Sequence, residues 1–425
     1  MDNPISRRKF LGVSTAIAAG AAVGGLAVGG AAGYLVGSGS AGTTTGTSKK
    51  IKAGFVYVGP PGDFGYTYAH DVGRKYAVAA LPWLTTTTAE NITADNTLST
   101  CDSMISEGCD IVFTTSFDFM DGTVQAAAKY PNKLFAHCSG YKSGANGAAT
   151  KNMSTYFADF YQLYYLCGLA AGAVTATGNI GYVAAHATPE VIRHINAYVL
   201  GAQEVYKAKT GRNIKAYLQD INNWYDPTAA KNAAQALVDN NNCDVLAFTE
   251  DSPTVLQVAE DYTVNKNKKV WSFSHYSDMT AQGPHAHLTG QVVAWGPQYV
   301  DMLLQAYAGD WKAIDIWSRA GDYMPYRWAT ASPTGLDNLA PASGAEDMRG
   351  AVYMAPLNTA AIGSDVSNLI IQRWNTMKEL LFEPYTGPIN DMNGTQKFAP
   401  GVRATHDDLW NMTWFVENVQ NSISE

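Results

Sequence analysis

Ile180-Gly181-Tyr182-Val183-Ala184, Ala185-His186-Ala187-Thr188 and Pro189-Glu190-Val191-Ile192-Arg193-His194-Ile195 run on without a break, and together they decide the fold class. The apolar run predicts a strand over 180–184. Thr188 then sets a capping hydroxyl before a proline at the first helical position, which predicts a helix over 189–206. Asp226-Pro227 and Ser252-Pro253 repeat the device after predicted strands at 214–219 and 245–249, opening helices at 227–240 and 253–264. A further strand is expected at 269–274. Upstream the same rhythm predicts strands at 51–58, 83–88, 110–115, 133–138 and 154–157, with helices at 66–80, 98–107, 122–130 and 161–175. Downstream come strand 287–294, helix 297–308, an irregular Trp/Pro/Gly-rich stretch to 349, strand 351–354 and helix 366–382.

Strand and helix in alternation imply an α/β fold with two open parallel sheets in series. The late elements are too few for a third domain, so they are expected to return to the two sheets, with several crossings that make a hinge. The expected division is residues 51–157 plus about 296–348 for one lobe and 158–290 plus about 355–415 for the other.

Residues 1–37 read differently. Ser6-Arg7-Arg8-Lys9-Phe10-Leu11 is a twin-arginine export signal, followed by an uncharged stretch over 10–36. That stretch exceeds the roughly 20 residues that cross a bilayer, so the segment is expected either to be cleaved or to stay as a membrane anchor. No cysteine precedes Cys101, which excludes a lipid-modified cysteine at its end. Residues 38–50, rich in Gly, Ser and Thr, read as a flexible stalk. The protein is thus expected on the outer face of the cytoplasmic membrane, periplasmic or extracellular.

Among the 425 residues, 16% are charged, yet Tyr numbers 24 and Trp 10, a balance that suits recognition of a neutral flat or hydroxylated molecule. Beyond residue 50 there are 24 basic and 36 acidic side chains, so no basic face, and hence no nucleic-acid partner, is expected. Cys101, Cys109, Cys138, Cys167 and Cys243 form no C-x-x-C pair; five is odd, so one thiol at least is free and a disulfide among the rest stays open. His285-Ala286-His287 lacks a third ligand at a standard spacing, so neither metal nor other cofactor is expected. Asp391-Met392-Asn393-Gly394 resembles part of a calcium loop but reads better as a hairpin turn.

In open α/β folds ligands bind at the carboxyl ends of the strands. The residues there are Gly59-Pro60-Pro61-Gly62-Asp63-Phe64-Gly65-Tyr66, Ser116-Phe117-Asp118-Phe119, Asn222-Asn223-Trp224-Tyr225, Glu250-Asp251, His275-Tyr276-Ser277-Asp278 and Trp295. Aromatics from two lobes can sandwich a planar ring, while carboxylates and amides bond its polar edges. The glycine-rich loop lacks the P-loop lysine, so no phosphate cradle is expected. Asp63 paired with Glu250 or Asp251 also fits a nucleoside-cleaving hydrolase.

From about Ile51 to Trp414 the sequence resembles the basic membrane protein family of ABC-transporter solute-binding proteins, the group that includes purine-nucleoside receptors. The resemblance is carried by Gly54-Phe55-Val56-Tyr57-Val58-Gly59-Pro60 with Gly62-Asp63, by Phe113-Thr114-Thr115-Ser116-Phe117, and by Tyr165-Leu166-Cys167-Gly168-Leu169-Ala170-Ala171-Gly172. Gly178-Asn179-Ile180-Gly181-Tyr182-Val183, Pro189-Glu190-Val191-Ile192-Arg193-His194-Ile195-Asn196-Ala197 with Gly201-Ala202, and Trp224-Tyr225-Asp226-Pro227 extend it; Ser277-Asp278-Met279, Trp295-Gly296-Pro297 and Gly387-Pro388-Ile389 complete it.

That resemblance implies a type I periplasmic-binding fold, two Rossmann-like lobes joined by three strands, closing on a ligand and docking on a permease served by an ATPase. It implies binding without chemistry, by a monomer. By motif position Asp63 matches the first-loop Asp, Phe117 the first stacking ring and Asp278 the acidic residue after the last strand of the second lobe; Trp224 is the candidate for the opposing ring. Gly65-Tyr66-Thr67 stands where nucleoside receptors usually carry Ser-Phe-Asn, and Trp295 near their Lys. These departures resemble the branch associated with free bases such as adenine. The expected ligand-binding set is therefore Asp63, Tyr66, Phe117, Trp224, Glu250, Asp251, His275, Asp278 and Trp295, for a purine base or nucleoside. A nucleoside hydrolase and a tethered sensor ectodomain for a heteroaromatic ligand are the alternatives.

Overall fold

All residues but one of β1 (Ile51–Val56) are buried, as a parallel strand covered on both faces requires. The computed structural model describes residues 49–62, 64–158, 160–318 and 352–423. The predicted export signal and most of the stalk lie outside the described residues.

In the first lobe β1, β2 (Leu84–Ala89), β3 (Ile111–Thr114), β4 (Leu134–Cys138) and β5 (Met153–Ala158) alternate with α1 (Tyr66–Ala80), α2 (Thr97–Ser106) and α3 (Met120–Lys129). The second lobe begins with α4 (Phe160–Val174), β6 (Asn179–Ala184), α5 (Pro189–Thr210), β7 (Lys215–Asp220), α6 (Pro227–Asn240) and β8 (Val245–Phe248). It continues through α7 (Thr254–Val264), β9 (Trp271–Tyr276) and β10 (His287–Val293). The chain then returns to the first lobe as α8 (Trp295–Ala308), packed on α1, and β11 (Asp315–Ser318). β12 (Val352–Met354) goes back to the second lobe, followed by α9 (Thr359–Ile362), α10 (Ser364–Lys378), the β13–β14 hairpin (Ile389–Asn390, Gln396–Phe398) and α11 (His406–Trp410).

The first sheet runs β11-β5-β4-β3-β1-β2 with every pair parallel. The second runs β12-β10-β9-β8-β6-β7, parallel except that β12 lies antiparallel on β10. So one expected parallel strand runs the other way, and the stretch expected to be irregular after 308 supplies an edge strand in β11. The chain crosses between lobes at 158–160, at 294–295 and between 318 and 352, the last crossing lying outside the described residues.

Two of the three expected proline caps form: Thr188 and Asp226 accept hydrogen bonds from the Val191 and Ala229 amides. The third differs. Ser252 Oγ donates to Glu250 Oε2 and α7 starts one residue late, at Thr254, with no side-chain cap. Helices α4 and α5 cross at backbone contact: a Cβ at Gly168 would overlap the Tyr198 carbonyl, and one at Gly201 the Tyr165 carbonyl, so both positions need glycine. At the far edge, Ala216 on β7 is bridged by Val419, which covers an otherwise open strand. Asp391 accepts from the Asn393 and Thr395 amides, so the expected hairpin turn is a side-chain-stabilised one.

Candidate functional site

Both sheets present their carboxyl ends to one seam. Several residues there hold a left-handed backbone without being glycine: Phe64 (φ 62°) after β1, Ser139 (φ 63°) after β4, Asn222 (φ 50°) after β7 and Tyr276 (φ 63°) ending β9. For a bulky residue such as Tyr276 this conformation is costly, and such strain concentrates where side chains must be aimed.

The lobes touch across this seam. Ser277 Oγ donates to the Phe64 carbonyl, and Gly65 lies so close to the Asp251 carbonyl that a Cβ would overlap it. Asp118, in the turn after β3, faces Trp224 and His186 of the second lobe. Desolvation raises its carboxyl above the usual range, while His186 and the Trp224 side chain pull the other way. The Trp224 ring packs 4.8 Å from that of His186, and the Trp224 carbonyl accepts from the Asp251 amide at 2.8 Å, tying two loops of the second lobe together.

A space of about 270 Å³, including its open mouth, lies between the lobes, lined by Val58, Tyr66, Ser116, Phe117 and Ser139 from the first and Glu190, Trp224, Asp251 and Tyr276 from the second. Of the expected set, Tyr66, Phe117, Trp224 and Asp251 meet here. No lysine or arginine is among the described lining residues. Asp63 lies outside the described residues.

Four expected residues are placed elsewhere. Glu250 is buried and accepts from the Ser252 amide and hydroxyl, shaping its own loop. His275 was expected in a loop, but β9 extends through Tyr276, and strand alternation turns His275 into the core beside Tyr164 and Gln291. Asp278 is exposed and accepts from the Thr280 amide and hydroxyl, capping its own turn. Trp295 is fully buried because α8 begins at that residue, two before the expected start; its indole stacks on His70 at 4.7 Å and 7°. It fills the crossing between lobes and is not among the residues that line the space.

Glu190 was missed as a site residue, and it is the informative addition. It sits in the first turn of α5, just after the loop that follows β6, so its place at the carboxyl edge was readable once helices as well as loops are counted. Burial in the cleft pushes its carboxyl up to about 7, against the opposing pull of the Arg193 guanidinium one turn on. Ser139 and Tyr276 reach the cleft through their left-handed backbone, which no sequence motif announces.

The histidine pair holds no metal geometry: His285 is exposed beside Glu260, whereas His287 is buried on Ser274. No group of three metal-binding side chains occurs among the described residues. All five cysteines are buried free thiols, which settles the open disulfide.

Residues 50–321 match the family model described as ABC transporter substrate-binding protein, PnrA-like. A purine-binding protein of Brucella abortus is 32% identical over 379 residues, 89% of this chain and 95% of its own length. A putative ABC transporter glucose-binding protein of Haloferax volcanii is 32% identical over 267 residues, 63% of this chain and 64% of its own. Solved ABC solute-binding proteins from Aeropyrum pernix and Conexibacter woesei match with TM-scores of 0.62 and 0.55 at 14% and 16% identity, covering 84% and 78% of this chain and 95% and 98% of theirs. At that identity they bear on the fold alone, and it is the two-lobed type I periplasmic-binding fold. Family model and long relative agree: the chain belongs to the PnrA-like family of ABC transporter substrate-binding proteins.

Proposed function

We propose that this receptor carries a free purine base, adenine-like in size and polarity, in the cleft between its lobes and delivers it unchanged to an ABC permease and its ATPase. The observation that carries the reading is the lining itself. Phe117 of one lobe and Trp224 of the other border a single space together with Asp251, Glu190 and two serines, with no basic side chain among the described lining residues. Rings stack the faces of a flat molecule, carboxyl and hydroxyl groups take its edges, and the missing cation disfavours phosphate. The purine-binding relative that spans nearly the whole chain supports the same choice. Contacts from both lobes to one ligand supply the differential affinity that closure requires. Export by the twin-arginine signal, followed by cleavage or retention as an anchor, would set the monomeric receptor outside the cytoplasmic membrane.

Calorimetric titration of the full chain with adenine, adenosine and glucose tests this. Adenine should bind one to one and tightest, and be recovered intact by mass spectrometry. Glucose binding without adenine binding would reject the purine reading, and release of base from adenosine would favour the hydrolase.

A further inference from the structure

Two loops of the second lobe meet one dipeptide of the first. Phe64-Gly65 ends the loop after β1, directly ahead of Tyr66, and Gly65 flanks the start of α1. A Cβ on Gly65 would stand 2.6 Å from the Asp251 carbonyl carbon and 3.1 Å from its Cα, and would overlap the carbonyl oxygen. All three atoms are backbone, so no side chain can turn aside to make room. Neither segment has slack: the Asp251 amide donates to the Trp224 carbonyl at 2.8 Å, and the Gly65 carbonyl accepts from the Ala69 amide in the first turn of α1 at 3.0 Å.

One residue away the lobes are fastened. Ser277 is buried and its hydroxyl donates to the Phe64 carbonyl. Its amide donates to the His275 carbonyl at 2.8 Å across the left-handed Tyr276, a three-residue turn that holds Ser277 against the first lobe. Phe64, Gly65 and Ser277 are not among the described residues that line the cleft, whereas Tyr66, Asp251 and Tyr276 beside them are. Rings such as Tyr66 and Tyr276 can slide over one another as lobes part; two backbones in contact define a limit.

We propose that Phe64-Gly65 is the closure stop of this receptor: glycine lets the lobes meet backbone to backbone, Ser277 fastens them at that separation, and together they set the affinity of the cleft without touching its ligand. The inference rests on the interlobe-cleft reading above, and not on which ligand is held. A ligand that enters an open cleft and is then enclosed binds in proportion to how strongly closure is favoured. A Cβ at Gly65 holds the lobes apart, and loss of the Ser277 hydroxyl removes one hydrogen bond from the closed state alone.

The test is calorimetric titration of the full chain with adenine and with adenosine, beside Gly65→Ala, Ser277→Ala and the double variant, with stopped-flow release rates and thermal melting to show that each variant is folded. Gly65→Ala should weaken adenine binding by more than about tenfold. Ser277→Ala should weaken it about two- to tenfold, by a common factor for both ligands and through faster dissociation. In the double variant Ser277→Ala should cost nothing further, because the lobes no longer reach the separation at which its bond forms. Wild-type affinity in Gly65→Ala, a Ser277→Ala effect that adds to it in full, or unequal factors for the two ligands overturns the stop and leaves the purine reading standing. Should Gly65→Ala not fold, Ser277→Ala decides alone: a loss carried by dissociation supports the stop, and unchanged affinity overturns it. If wild type binds glucose and neither purine, the purine reading fails and the same variants titrated with glucose decide the stop. If wild type binds none of the three, the cleft reading falls and this inference with it.

Discussion

The ring of Tyr66 in the first lobe meets that of Tyr276 in the second edge to face, with 4.8 Å between centroids and 61° between planes. This pair closes the floor of the seam, and Tyr276 reaches it through a left-handed backbone at φ 63°. Each ring thus serves two surfaces, the contact between the lobes and the lining of the space between them.

Trp224 is only half buried, packing on His186 and against the edge of the core. Its removal should cost little folding energy but a full stacking face. Trp224→Ala is expected to weaken binding of the cleft ligand by more than about tenfold, with the melting temperature of the unliganded protein nearly unchanged. Calorimetry and differential scanning fluorimetry read the two effects separately; unaltered affinity would remove Trp224 from the site.

Trp295 should behave in the opposite way. It is fully buried among His70, Tyr156, Phe157 and Phe160. Trp295→Ala leaves a large cavity and is expected to destabilise by about 3–5 kcal/mol in urea unfolding. A variant as stable as wild type but unable to bind ligand would instead place Trp295 in the cleft.

Trp317 on β11 and Tyr141 in the first lobe grip Trp410, His406 and Arg193 of the second. This clamp lies on residues other than those lining the cleft, yet it joins the lobes. Trp410→Ala should shift the lobes toward separation and weaken ligand binding between about twofold and thirtyfold, from the ~0.5–2 kcal/mol of a cation–π contact. Small-angle scattering of the unliganded variant should show a larger radius of gyration. An unchanged radius together with unchanged affinity argues against a clamp.

His70, His137, His194, His275 and His287 are all buried, and desolvation holds their protonation below the usual range, to about 3 for His137 and about 4 for His287. The unfolded chain takes up protons near pH 6.5 while the folded protein does not. Their stabilisation is therefore complete above about 6.5 and is lost as pH falls from there toward the folded values, by up to about 1.4 kcal/mol per unit for each histidine. Urea unfolding at a series of pH values from 7 down to 4 should show this decline. His137→Asn should reduce its slope by one histidine's share, and a slope unaltered by that change would exclude His137 as a contributor.

Much of the site's frame was legible in the sequence, because strand–turn–helix units are local. Helix α1 runs over the predicted residues, and Thr188 and Asp226 cap as their spacing requires. Tyr66, Phe117, Trp224 and Asp251 were legible as carboxyl-edge residues for the same reason. His275 was not, since two residues at the end of β9 decide whether its ring points to the core or the cleft, and register at a strand end is set by the neighbouring strands.

The sequence by itself determined the alternation of strands and helices, two of the proline-capped helix starts and the acidic net charge, all properties of periodicity, short spacing or summed charge, and its motifs carried the family. Only the tertiary structure decided which carboxyl-edge residues meet. Phe117 and Trp224 are brought to one space from 107 positions apart by lobe packing, Glu190 joins them from a helix turn, and Trp295, expected beside them, is buried in the crossing because α8 starts at that residue. Those outcomes depend on how two sheets face each other and on which way single side chains leave the backbone, and neither is encoded within any one stretch of the chain.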